Sequence, residues 1–178
     1  MKALIVTWEK FQDHEVIYPY YRLLEEGFEV DIMSNALGRI YGIMGTNMES
    51  SLLTSELDEA HKEDAELAQA DIMVVPGGVK ALEKLRQEDS VLRFINEWNE
   101  QKKVIASTCH GAQLLISSKI VNGRKVSGYY SIKDDINNAG ATYVDEPAVV
   151  DGNLVSSPHY KWMGEWMRSA IDVYNQRK

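Results

Sequence analysis

The sequence predicts an α/β fold with a mostly parallel sheet covered by helices on both faces. Short runs rich in β-branched apolar residues, such as Lys2–Thr7 and Asp71–Val75, alternate with segments of helical spacing. This alternation favours a parallel sheet, because parallel strands are joined by crossovers that are usually helices. The runs are apolar almost throughout, as expected of strands that are buried on both faces.

The elements follow this alternation along the chain. Asp13–Glu26 has apolar residues at helical spacing and ends at Gly27, a helix-stop residue. Asn35–Ser55 has three glycines and little periodicity, which leaves a short hairpin or an excursion at the sheet edge open. The acidic stretch Glu56–Ala70 is expected to be partly helical. The other predicted elements are strands over Phe28–Met33, Lys103–Ser107 and Ala141–Val144, helices over Val79–Arg86, Ser90–Gln101, His110–Ser117, Ile132–Ala139 and Tyr160–Gln176, and a hairpin pairing Ala148–Val150 with Asn153–Ser156 across Asp151-Gly152.

Composition places the chain among globular proteins, as a single domain over residues 1–178. The 27 acidic and 19 basic residues give a net charge of −8, which disfavours binding to nucleic acid or to an anionic membrane. No apolar stretch reaches the roughly 18 residues of a membrane helix. The chain begins directly with a strand-like run, so we expect a cytoplasmic protein. Its single cysteine excludes an internal disulfide and is a candidate nucleophile.

Ligands of parallel α/β sheets bind at the carboxyl ends of the strands, so the loops after Thr7, Val75 and Ser107 are the ones to inspect. Cys109 follows Ser107 at a tight strand-to-helix turn, which is expected to expose its side chain. A helix N-terminus lowers the pKa of a thiol and favours the thiolate. The residues around it predict an oxyanion site, with the His110 N–H as one donor. The alternative interpretation is that the free cysteine is a small apolar residue buried in the hydrophobic core.

Two further groups lie at the same predicted edge. The N–H of Gly78, in Pro76-Gly77-Gly78, is a second candidate oxyanion donor, although a plain turn is the simpler interpretation. Glu15 opens the helix after the first strand, where it would ordinarily serve as a helix-dipole partner. Close to a thiolate, its pKa would rise through burial and like charge, so that it could carry a proton.

Other side chains receive lesser roles. His110 adjoins the nucleophile and could assist it, while Gly77, His159 and Tyr129 are candidate substrate contacts. A zinc site is disfavoured because the chain has one cysteine and no histidine pair at ligand spacing. No phosphate-binding glycine motif occurs, so no nucleotide or other cofactor is predicted.

Taken together, these motifs resemble the ThiJ/PfpI family of the class I glutamine amidotransferase-like superfamily, nearest its PfpI intracellular-protease branch. The resemblance runs nearly end to end. It rests on Phe11-Gln-Asp-His-Glu-Val-Ile-Tyr-Pro-Tyr-Tyr-Arg-Leu, on Val74-Val-Pro-Gly-Gly, on Ala106-Ser-Thr-Cys-His-Gly-Ala-Gln-Leu-Leu, on Ile132-Lys-Asp-Asp-Ile-Asn-Asn-Ala-Gly-Ala and on Val149-Val-Asp-Gly-Asn-Leu-Val-Ser-Ser.

The resemblance implies a flavodoxin-like three-layer sandwich and a homodimer or larger homo-oligomer. It also implies that Cys109 is the nucleophile, Glu15 its carboxyl partner, and Gly78 with His110 the oxyanion site. Activities known in the family include peptidase, glutathione-independent glyoxalase, deglycase and isonitrile hydration, and some members are redox sensors or chaperones. The fold therefore does not choose the reaction.

Two departures from the PfpI branch bear on the substrate. The acidic residue that completes an intersubunit Cys-His-Glu triad aligns with Leu82, with Glu83 one position along. After Ser157, where the branch has Arg, this chain continues with Pro158 and His159. Both departures favour a substrate different from that of the proteases.

The sequence therefore predicts a cysteine-dependent enzyme acting on a small carbonyl, amide or related electrophile, of glyoxalase, deglycase or amidase type. Cys109 attacks, Glu15 carries the proton and the Gly78 and His110 N–H groups hold the oxyanion. The alternative is a non-enzymatic redox or stress sensor, or a chaperone, that uses oxidation of Cys109. An intracellular peptidase is the less favoured reading.

Overall fold

The computed structural model describes residues 1–57, 67 and 69–177. Seven of the described strands form the central sheet in the order β10-β11-β7-β6-β1-β2-β5, and all neighbours are parallel except the β10–β11 hairpin. The sheet strands are β1 Lys2–Val6, β2 Glu29–Ser34, β5 Leu52–Leu53, β6 Ile72–Val75, β7 Val104–Thr108, β10 Val149–Asp151 and β11 Leu154–Ser157. Two small pairs complete the strands: β3 Gly38–Tyr41 with β4 Asn47–Ser50, and β8 Lys125–Val126 with β9 Thr142–Tyr143.

Helices cover the sheet in two groups. The first and last helices pack against each other and against the sheet, whereas the four described helices between them form a second group. The helices are α1 Asp13–Glu25, α2 Val79–Leu85, α3 Asp89–Glu100, α4 Ala112–Ser117, α5 Lys133–Asn138 and α6 Met163–Asn175, and short 3-10 turns cover Thr54–Glu56, Cys109–Gly111, Tyr130–Ile132 and Tyr160–Trp162. The predicted α/β sandwich with a mostly parallel sheet is confirmed.

The central strands are buried because they carry apolar side chains on both faces. Ile5, Val74 and Ala106 lie side by side in the parallel register of β1, β6 and β7, and each is fully buried. Burial of one such aliphatic side chain contributes roughly 1.5–3 kcal/mol relative to exposure, so these strands fix the sheet firmly. Their shared register brings the loops that follow β1, β6 and β7 to one edge.

The predicted elements agree with the structure to within a few residues at their ends. The glycine-rich segment after β2 holds the hairpin β3–β4, which was one of its two predicted forms. The two largest shifts in helix ends have a common cause: the helices predicted from His110 and from Tyr160 begin with a 3-10 turn, and the α-helix starts two or three residues later. Most of Glu56–Ala70, including its predicted helix, lies outside the described residues.

Candidate active site

Cys109 occupies a strained turn directly after β7. Its φ is +56°, in the left-handed region that residues other than glycine rarely adopt. The turn is forced by close packing, because a β-carbon on Gly111 would collide with the carbonyl oxygen of Val75 and lie 3.2 Å from that of Pro76. Strain of this kind persists where the surrounding structure fixes the residue, and it is found mainly at functional sites. The side chain is only 8% exposed, so the expected exposure is wrong.

Glu15 approaches the cysteine from the first turn of α1. The residue is fully buried, and the N–H of Gly77 donates to its Oε2 at 2.6 Å. A β-carbon on Gly77 would lie 2.5 Å from this oxygen and 3.2 Å from the Cys109 Sγ. A side chain at position 77 would therefore collide with the Glu15 carboxyl and the Cys109 side chain, so only glycine fits there.

The two acidic groups share one buried environment and shift each other's titration. Burial raises the pKa of Glu15 to about 7, against the opposing effect of hydrogen bonds with Gly77 and Cys109. Burial, followed by the negative charge of Glu15, raises the pKa of the Cys109 thiol. The prediction of a lowered thiol pKa is therefore wrong, because desolvation and like charge outweigh the helix N-terminus. Cys109 and Glu15 therefore titrate as a pair, and they share one proton at a pH where an isolated carboxyl group has already lost its proton.

Backbone donors surround the sulfur. The N–H groups of His110 and Gly78 both hydrogen-bond the Cys109 side chain and act to lower its pKa. Gly78 has φ +105°, and a β-carbon there would lie 2.8 Å from the Gln12 nitrogen, so a glycine is required at this position. Two N–H groups that converge on a nucleophile can also stabilise an oxyanion formed on a carbon bound to it.

His110 directs its ring toward the thiol. Its Nδ1 lies 3.3 Å from the Cys109 Sγ, which is within hydrogen-bonding distance for sulfur. Burial lowers the pKa of His110, so the imidazole is neutral at pH 7 and can accept a proton. The structure thus brings together five of the predicted site residues, namely Cys109, Glu15, His110, Gly77 and Gly78, and the N–H of Gly77 binds the Glu15 carboxyl.

A row of aromatic rings begins at His110, and we call it the aromatic row. His110 stacks on Tyr129 with ring centroids 4.9 Å apart, and Tyr129 is 6.0 Å from His159. His159 is 4.0 Å from Tyr160, which stacks on His14 at 4.7 Å. The N–H of Tyr129 donates a hydrogen bond to the carbonyl oxygen of Cys109, which holds the two residues together. Tyr129 and His159 were each predicted as substrate contacts, but no sequence pattern indicated that Tyr160 and His14 lie beside them.

The position that aligns with the family's intersubunit acid carries no acid. Leu82 is 1% exposed and belongs to the hydrophobic core under α2. Glu83, the next residue, is exposed to solvent. The difference follows from helical geometry, since adjacent residues on a helix point about 100° apart.

Asp13 has a structural role beyond its predicted position at the start of a helix. Its buried carboxylate accepts hydrogen bonds from the Met44 and Thr46 N–H groups and from the Thr46 hydroxyl. Burial raises the pKa of Asp13, but these hydrogen bonds outweigh that effect and lower it. The carboxylate thereby fixes the turn between β3 and β4 beside α1.

Two site classes find no support in the described part of the chain. No group of three or more His, Cys, Asp or Glu side chains in it could hold a metal ion. Among the helices described, none has the length and apolarity needed to cross a membrane.

The fold and the cysteine turn define a class, that of α/β proteins with a buried cysteine between a central strand and a helix. The chain belongs to the DJ-1/PfpI family, whose model matches residues 1–173. It is 41% identical over 172 residues to a deglycase of Pyrococcus horikoshii, covering 94% of this chain and 98% of that protein. A deglycase of Pyrococcus furiosus, PfpI, is 39% identical with the same coverage.

Solved structures share the fold. A two-domain protein of Anabaena variabilis with DJ-1/ThiJ/PfpI-like and ferritin-like domains matches with a TM-score of 0.87 and 31% identity, over 96% of this chain and 47% of that one. Schizosaccharomyces pombe DJ-1 has a TM-score of 0.83 at 20% identity, over 99% of this chain and 96% of that one. Homologues named as deglycases support an enzyme of this family.

Proposed function

We propose that the protein is a cysteine-dependent deglycase that removes dicarbonyl adducts from amino compounds. The observation that carries this proposal is the arrangement around Cys109, whose sulfur lies beside a proton-holding carboxyl and between two backbone N–H groups. Such a site suits attack on a carbonyl-derived carbon followed by proton transfer. The names of the Pyrococcus relatives support the same class of reaction.

The chemistry needs no external oxidant. Cys109 displaces the amine from a methylglyoxal hemiaminal, and Glu15 gives its proton to the leaving nitrogen. The Glu15 carboxylate then moves the C1 proton of the resulting hemithioacetal to C2, and the hydroxyl proton passes from the C1 oxygen to the C2 oxygen. The product is a lactoyl thioester, and the Gly78 and His110 N–H groups hold the oxygen that is negative during this step. Water then releases lactate and restores the thiol. One adduct and one water give one amine and one lactate, so no cofactor is required.

The alternative roles have less support. A redox or stress sensor, or a chaperone, that uses oxidation of Cys109 has less support because the Pyrococcus relatives are named as deglycases. Peptidase action is disfavoured because Leu82 is a core residue at the position of the family's intersubunit acid. A cytoplasmic location remains a prediction of the sequence.

The reaction can be tested on methylglyoxal adducts of N-acetyllysine and N-acetylarginine. We expect the wild-type protein to release lactate and free amine in equal amounts, with free methylglyoxal also converted to lactate. Lactate is measured enzymatically and the amine by chromatography, and buffer alone sets the spontaneous rate. Release of lactate at only the spontaneous rate of adduct decay would contradict the proposal.

We also propose that the protein works as a homodimer formed through the outer face of α1. Tyr18, Tyr21 and Met44 are exposed there and line a cavity of about 840 Å³. Clustered exposed apolar side chains typically mark an interaction surface. Sedimentation velocity is expected to give about twice the 20.2 kDa chain mass, and Tyr21→Arg to shift the protein toward monomer. A wild-type monomer at micromolar concentration would contradict this.

A further inference from the structure

A proline interrupts the interior of α1, the helix that carries Glu15. Pro19 is buried, and the helix continues past it to Glu25. Proline is the least favourable residue in a helix interior, because it lacks an N–H and its ring collides with the carbonyl oxygen four residues earlier. Here that carbonyl belongs to Glu15. A buried aliphatic residue would fill similar space without this cost, so packing alone does not explain a proline at this position.

The proline separates the first turn of α1 from the turns that follow. Pro19 has no N–H, so it cannot donate the i+4 hydrogen bond that the Glu15 carbonyl oxygen would otherwise accept. Helices bend at proline for this reason. The orientation of the first turn is therefore set less by the rest of the helix and more by contacts outside it.

Hydrogen bonds to two other segments hold this first turn. The N–H of Gln12 donates to the Gly77 carbonyl oxygen at 3.2 Å, and the N–H of Gly77 donates to the Glu15 Oε2 at 2.6 Å. The Asp13 carboxylate accepts hydrogen bonds from the turn between β3 and β4. These bonds place the Glu15 carboxyl beside Cys109, at a site where a displacement of about 1 Å can lower a rate by about a hundredfold.

We propose that Pro19 is a positioning residue for Glu15, because it frees the first turn of α1 to hold the carboxyl against Cys109. This inference deepens the proposed function and rests on the role of Glu15 as its proton carrier. An N–H at position 19 would draw the Glu15 carbonyl into the regular helical pattern and move the carboxyl away from the sulfur. The charge of Glu15, which raises the pKa of the Cys109 thiol, would then act on it more weakly.

Alkylation of Cys109 with iodoacetamide measures this effect without turnover. Pro19→Ala and Pro19→Val both restore the N–H, and valine keeps most of the buried side-chain volume. At pH 8 we expect both variants to be alkylated at least about threefold faster than the wild type, because more of the thiol is ionised. Leu23→Ala removes a buried side chain one turn along the same face of α1 without adding a donor, and it should leave the rate unchanged.

The Glu15→Gln background distinguishes positioning from a general loosening of the site. Glutamine carries no charge, so in this background Pro19→Ala is expected to change the alkylation rate by less than about 1.5-fold. An equal acceleration in both backgrounds would overturn the proposal. Wild-type alkylation in Pro19→Val, with acceleration in Pro19→Ala alone, would assign Pro19 a packing role and overturn it as well.

Lactate release separates this inference from the function on which it rests. We expect Pro19→Ala to lower kcat at least about tenfold with KM nearly unchanged, because the proton carrier is displaced and the binding groups are not. A wild-type protein without deglycase activity, but with the acceleration that depends on Glu15, would keep the positioning role and overturn the deglycase. Deglycase activity with wild-type alkylation in both Pro19 variants would overturn the positioning role alone.

Discussion

Substitution of Cys109 by serine is expected to lower lactate release from methylglyoxal adducts by about a thousandfold or more. The hydroxyl of serine is a far weaker acid than a thiol, and the turn after β7 places no strong base beside it. Neutral His110, 3.3 Å from the sulfur, and the Glu15 carboxylate are bases strong enough to take a proton from a thiol but too weak to take one from an alcohol. The measurement is the initial rate of lactate formation with substrate in excess.

The same variant provides its own structural control. Serine is close to cysteine in size, and the strained backbone is fixed by neighbours that the substitution does not change. We therefore expect its thermal midpoint to stay within a few degrees of wild type. A folded Cys109→Ser protein that retains a tenth of the activity would remove the cysteine from the mechanism.

Substitution of Glu15 by glutamine is expected to abolish proton transfer and to change how stability depends on pH. The folded-state pKa of Glu15 is raised to about 7 from an ordinary value of 4.5. Between these values the native state binds more protons than the unfolded chain, so the free energy of unfolding falls as pH rises. The loss amounts to about 3 kcal/mol and is complete once pH passes the folded pKa.

Glutamine cannot titrate, so Glu15→Gln should lack this loss. Urea unfolding at pH 4.5 and pH 8 gives the two free energies, and the difference between them is compared across variants. Glu83→Gln removes an exposed carboxylate on α2 and should behave as wild type. The lowered pKa of Asp13 acts below its ordinary value of 3.8, outside this window. An equal pH dependence in wild type and Glu15→Gln would show that the pKa of Glu15 is not raised in the folded protein.

The sequence was sufficient to predict the part of the site that depends on strand order. Cys109 follows β7 and Gly78 follows β6, and neighbouring parallel strands must end at the same edge. Glu15 was predicted to belong to the same site because α1 follows β1 and therefore begins at that edge of the sheet. Periodicity identified the elements themselves, since their apolar spacing is set by burial on one face of a helix or both faces of a strand.

The remainder depends on packing that no local pattern encodes. Whether a thiol at a helix start is acidic depends on its desolvation, and here the burial of Cys109 and Glu15 reverses the expected shift. The aromatic row joins residues from α1, the loop after β8 and the turn after β11, which are distant in sequence. The hydrogen bonds that fix the β3–β4 turn come from Asp13, some thirty residues earlier.

The central claim is that Cys109 and Glu15 share one proton, and alkylation of the thiol as a function of pH tests it most directly. Cys109 is the only cysteine in the sequence, so a single carbamidomethyl group in the intact mass reports on this residue. With iodoacetamide, we predict that the wild-type rate rises through an inflection near pH 7, and that Glu15→Gln lacks this inflection. The same inflection in both proteins would contradict the account.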